Sequence, residues 1–72
     1  MLKIKSNQPQ LKIARIKNGL YQRDVAEAIG ITPNAYAQIE NGTRFTTGKT
    51  AVRICECLHI QFEDGFKVEE AI

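Results

Sequence analysis

Two short stretches with a two-residue period bracket a chain whose interior follows helical spacing. Met1–Lys5 alternates, with Leu2 and Ile4 apolar and Lys3 and Lys5 charged; Phe66–Glu69 does the same, with Phe66 and Val68 against Lys67 and Glu69. Alternation sends successive side chains to opposite faces, so each stretch predicts a short strand. Between them, apolar residues recur every three or four positions. Leu11, Ala14, Arg15 and Asn18 share one face of a predicted first helix, Gln10–Asn18, which Gly19 stops. Ile13 and Ile16 lie on the opposite side. A surface helix needs only one apolar face, so these two predict a cover, either a terminal segment or a second subunit. The alternating ends offer one, paired as a small sheet over Ile13 and Ile16, within one chain or between two. Lys3 and Lys5 would then lie near Glu69 and Glu70.

A second helix is predicted over Gln22–Ile29, with Val25, Ala26 and Ile29 inward and Gly30 supplying a left-handed cap. Thr32 is a good N-cap and Pro33 suits the first helical position. The third helix runs from there to about Asn41, where Gly42 stops it; Tyr36, Ile39 and Glu40 share its inner side. After the loop Thr43–Thr46, Thr47 caps a fourth helix reaching Leu58, with Ala51, Ile54, Cys55 and Leu58 inward. Phe62–Phe66 reads as one further turn that Gly65 weakens. The pattern predicts an all-α fold: one compact domain over residues 1–72 with four to five helices, its core about 11–66, and short terminal strands.

Composition narrows the class. Apolar residues at 43% and charged residues at 25% fit a globular chain and argue against disorder. No apolar run approaches the ~20 residues that span a bilayer, and no signal-peptide stretch opens the chain, so a cytoplasmic protein without a membrane partner is expected. Cys55 and Cys57 would point about 200° apart on a helix, and they lack the Cys or His partners of a zinc site. Reduced thiols are expected, with Cys55 packed inside, and no metal or cofactor. The net charge of +2 divides unevenly. Residues 1–53 carry nine Lys or Arg and three acids, whereas residues 54–72 carry one Lys and five acids. A basic body with an acidic end suits a protein that turns one face toward phosphates. Catalysis is not expected: His59 is the only histidine, and Glu63, Asp64, Glu69 and Glu70 read as a solvated acidic end.

The informative stretch is Gln22–Asn41. Two short helices joined by Gly30-Ile31-Thr32 must cross steeply, with a small residue, Ala26, at the crossing and Ile31 beneath the turn. The second helix of the pair keeps an outer face of Pro33, Asn34, Ala37, Gln38 and Asn41. Asn and Gln can pair bidentately with the adenine edge, and an Ala methyl can meet the thymine methyl. Solvation alone would also explain exposed polar residues; the tight turn favours the groove-reading account.

Gln22-Arg23-Asp24-Val25-Ala26-Glu27-Ala28-Ile29-Gly30-Ile31-Thr32-Pro33, followed by Tyr36-Ala37-Gln38-Ile39-Glu40-Asn41-Gly42, resembles the Xre family of phage-repressor and Cro-type DNA-binding domains. The similarity extends from about Leu11 to Phe66. It implies a helix-turn-helix bundle in which Pro33, Asn34, Ala37 and Gln38 face bases, and Thr32 lies closer to the backbone. Gln22 would bond a phosphate and brace the third helix. Asn41, Thr43 and Arg44 would hold phosphate on the far side, with Tyr21 and Arg23 on the near side. Arg15 and Glu40 match an ion pair between the first and third helices.

Three departures stand out. Tyr21 replaces the usual Ser or Thr cap. Pro33 lacks polar reach. Gly48 and Gly65 stand where larger apolar residues are common.

The resemblance implies a bacterial or phage-encoded repressor or Cro-like switch, cytoplasmic and bound at the nucleoid, whose partner is double-stranded DNA. One such domain reads few base pairs, so a homodimer is expected, with Phe62, Phe66 and Val68 as candidate contacts. A chain this short leaves no room for a small-molecule sensor domain. The alternative is a protein-interaction module, anti-repressor or antitoxin-like, that keeps the same fold.

Overall fold

Local sequence sets most of the helix ends. The computed structural model describes residues 1–70, ordered β1 (Leu2–Ser6), α1 (Gln10–Lys17), α2 (Gln22–Ile29), α3 (Pro33–Glu40), α4 (Gly48–Leu58), α5 (Phe62–Gly65) and β2 (Phe66–Glu70). Thr32 Oγ1 accepts from the Ala35 backbone N–H at 3.1 Å, and Thr47 Oγ1 from that of Thr50 at 3.2 Å. Each satisfies a donor that the helix itself leaves free. Tyr21 has no short hydroxyl to offer α2. Asp24 takes over, its carboxylate accepting from the Tyr21 backbone N–H at 2.7 Å. At its other end, α2 closes on Gly30 at φ 80°, and the Ile31 N–H reaches back to the Ala26 carbonyl at 3.0 Å. His59 closes α4 in the same left-handed region, φ 57°, with no glycine to announce it.

Leu11 and Ala14 of α1, Val25, Ala26 and Ile29 of α2, Tyr36 and Ile39 of α3, and Ala51, Ile54, Cys55 and Leu58 of α4 form one core, joined by Phe66. The inward faces expected of α2, α3 and α4 are the ones buried. Asn18 ties two helix ends together: its amide donates to the Ala14 carbonyl at 2.8 Å and to the Leu58 carbonyl at 2.9 Å.

The terminal strands pair within the chain, antiparallel, in the register Leu2↔Glu70, Lys3↔Glu69, Ile4↔Val68, Lys5↔Lys67 and Ser6↔Phe66. Lys3 meets Glu69 as expected. Lys5 instead faces Lys67, and Glu70 bonds the N-terminal amine at 3.3 Å. The sheet does not cover α1, contrary to expectation: Ile13 and Ile16 remain 39% and 58% exposed. The reason is where β1 attaches. Ile4 bridges Thr46, whose N–H donates to the Ile4 carbonyl at 3.0 Å, so the sheet lies against the α3–α4 loop.

Phe66 is likewise not an open dimer contact. Only 2% of it is exposed, because it enters the core at the base of β2, stacked on Phe62 with ring centroids 5.7 Å apart. Gly65 is a fitted position. A Cβ there would stand 2.8 Å from Ile60 Cδ1 and 3.1 Å from Leu11 Cδ2. We therefore expect Gly65→Ala to cost about 1–3 kcal/mol through overpacking, read as a lower urea midpoint at unchanged m-value.

Candidate nucleic-acid interface

The orientation of α3 depends on Glu40, a carboxylate on its inner side. Arg15 grips it with two parallel bonds: Nε donates to Oε2 at 2.8 Å and Nη2 to Oε1 at 3.1 Å. The guanidinium's third contact, Nη1 to the Leu20 carbonyl at 2.9 Å, ties the pair to the α1–α2 connection. Gln22, at the start of α2, adds Nε2 to Glu40 Oε1 at 3.3 Å. From the N-terminal side, Ser6 Oγ and Gln8 Nε2 both donate to the Glu40 backbone carbonyl, at 3.3 and 3.4 Å.

The side chains of Arg15 and Glu40 are only 12% and 5% exposed. Burial by itself would push the Glu40 carboxyl up. The hydrogen bonds from Arg15 and Gln22, with the Arg15 charge, outweigh it and hold the group below the usual carboxylate range. Tyr36 moves the other way, its phenol pushed up by burial and by Glu40.

With its inner side fixed, α3 turns Pro33 and Asn34 outward, exposed, and leaves Ala37 and Gln38 partly exposed. Thr32 is exposed, but its hydroxyl oxygen is committed to capping the helix. At the N-terminal end of α3, Tyr21, Gln22, Arg23 and Pro33 line one shallow cleft together with Arg15. The Arg23 guanidinium sits 5.3 Å from the centre of the Tyr21 ring, a cation–π distance that sets its charge above the cleft. At the far end, the Asn41 side chain accepts from the Thr43 N–H at 3.1 Å and from the Thr43 hydroxyl at 2.7 Å. Arg44 follows and reaches back to Gln38.

The eleven positions expected to touch nucleic acid thus fall into one band along α3, with cations at both ends. Lys12, on the exposed side of α1, lines a neighbouring cleft with Gln22 and Asn41, a placement its sequence position gave no sign of. Val68 is half-exposed, whereas Phe62 packs partly against the core.

The α2–α3 pair is joined through Gly30, and the buried Arg15–Glu40 brace holds α3 to α1. A helix-turn-helix family model matches residues 11–64. The chain belongs to the Xre family of helix-turn-helix regulators. This Xre-type chain is 31% identical over 61 residues to the uncharacterized HTH-type transcriptional regulator YgzD of Bacillus subtilis, covering 85% of this chain and 92% of the relative. Its fold is shared with a candidate DNA-binding protein of Bacteroides fragilis, at TM-score 0.74 and 14% identity over 89% of this chain and 98% of the other. It is also shared with the clp gene regulator ClgR of Corynebacterium glutamicum, at TM-score 0.71 and 24% identity over 76% of this chain. The Xre-type chain spans 58% of that ClgR chain.

Proposed function

We propose that the protein is a sequence-specific repressor that reads the major groove of double-stranded DNA with α3. The observation that carries this is the division of labour on α3: its inner side is locked through Glu40, and its outer side presents Asn34, Ala37 and Gln38. Gln38 lies one helical turn after Asn34, so both reach into one groove. Pro33 adds apolar contact without a hydrogen bond, which moves part of the selectivity to DNA shape. Gln22 spends one amide N–H on Glu40 and keeps the other for a phosphate. Tyr21, Arg23 and Thr32 flank the same backbone stretch, while Asn41, through its amide N–H groups, and Arg44 take the opposite one, with Thr43 shaping that loop by donating to Asn41. Phosphate contacts such as these fix register, and base contacts give sequence. Titration of duplex DNA against salt tests the assignment. Arg44→Ala should weaken binding to all sequences and lower the slope of log K against log[salt] by about one.

The protein acts as a symmetric dimer on this reading, joined through β2. That strand has a neighbour on one side only among the described residues, and Val68 is 50% exposed beside it. Two copies of β2 pairing antiparallel about Val68 place Lys67 opposite Glu69 twice; a register shift of two residues either way sets Lys67 against Lys67 or Glu69 against Glu69. A two-fold interface needs such self-complementarity, and like charges directly opposite are destabilising. Val68→Asp should therefore shift the protein to monomer in sedimentation equilibrium without unfolding it. A second reading, a protein-interaction module, is favoured by the exposed Ile13 and Ile16. Micromolar, sequence-blind duplex binding would select it.

A further inference from the structure

The loop after α3 holds Gln38 by both its backbone and its side chain. The Thr43 N–H donates to the Gln38 carbonyl at 3.0 Å. Asn41 Oδ1, in turn, secures the Thr43 N–H and hydroxyl. This fold of the loop brings Arg44 alongside, where Nη1 donates to Gln38 Oε1 at 3.3 Å. A free glutamine amide can present either end to a base. Arginine is donor-only, so beside Arg44 only the carbonyl end is accommodated, and Nε2 is the end turned away from the loop.

We propose that Arg44 is a positioning residue for Gln38, fixing the polarity of its amide and thereby the base it selects. The proposal rests on the reading of α3 as the groove-reading helix. With polarity fixed, Nε2 meets a purine N7, and the remaining lone pair of Oε1 accepts from the adenine amino group. Cytosine, whose group on this edge is a donor, meets a donor. Arg44 thus does more than place a cation beside the phosphates: it acts on sequence preference through Gln38.

The test uses the duplex that the full chain selects from a random pool, and its single-base variants at every position, titrated across a range of salt with wild type, Arg44→Gln, Gln38→Ala and the double substitution. Glutamine at position 44 offers an acceptor as well as donors, so it fixes neither end of the Gln38 amide. Gln38→Ala is expected to flatten the preference at one position per half-site, from the roughly 5- to 150-fold of a bidentate contact. Arg44→Gln should flatten that same position to within a few-fold, over and above a uniform loss of affinity in which the salt slope falls by about one. The double substitution should flatten it no further. If Arg44→Gln leaves the preference intact, or flattens positions that Gln38→Ala does not touch, Arg44 does not act through Gln38 and the proposal falls. If Gln38→Ala flattens no position, the reading of α3 itself fails and takes the proposal with it.

Discussion

Arg15→Ala is expected to cost about 3 kcal/mol of folding stability, because removing one member of a buried ion pair strands the other charge. The value sits at the lower end for such pairs, since Arg15 keeps a solvent-facing edge. Set against the ~5–15 kcal/mol that holds a small domain together, it is a large fraction. The loss reaches the binding face as well, because Glu40 would no longer hold α3 and Gln22 in one arrangement. Urea denaturation should show the lower midpoint, and the Arg15→Met/Glu40→Leu double variant should recover much of it, since an apolar pair leaves no buried charge.

The same site gives a pH dependence. The Glu40 carboxyl lies below its ordinary value of 4.5 when folded, so the folded state binds fewer protons than the unfolded state in that range. Its stabilisation is therefore full above the unfolded pKa and is lost as pH falls through the folded one. Glu40→Gln should flatten the acid limb of the stability profile.

The second large effect belongs to Gln38. Gln38→Ala should remove about 1–3 kcal/mol of discrimination at one base position per half-site and leave non-specific affinity nearly unchanged. On the proposed reading, the phosphate contacts that supply non-specific binding lie elsewhere on the band. Competition titrations against single-base variants separate the two quantities. A uniform loss across all sequences would place Gln38 on the backbone instead.

The helices were legible because their signals are local. Thr32-Pro33 and Thr47 start helices, and Gly30 stops one, by geometry that needs only neighbouring residues. His59 gave no such signal, because it closes α4 in the left-handed region without being a glycine. The strands were legible in period but not in placement. Alternation in Leu2–Ile4 and Phe66–Val68 says which residues share a face, yet nothing near either end says that Ile4 will bridge Thr46. That attachment turned the sheet away from Ile13 and Ile16, and it buried Phe66, which the pattern alone offered as a dimer contact. Within the candidate site, Arg15 and Glu40 stood out as charges on inward faces, and the resemblance paired them. The hold of Arg44 on Gln38 was invisible, since it depends on how Asn41 and Thr43 turn the chain back on α3.

Selection of bound duplexes from a random pool bears on α3 and on the dimer together. A palindrome is expected, with half-sites about one helical turn, ~34 Å, apart, and an adenine preference at a position that Gln38→Ala abolishes. Recovery of no enriched sequence at physiological salt would contradict the assignment of α3 to the major groove.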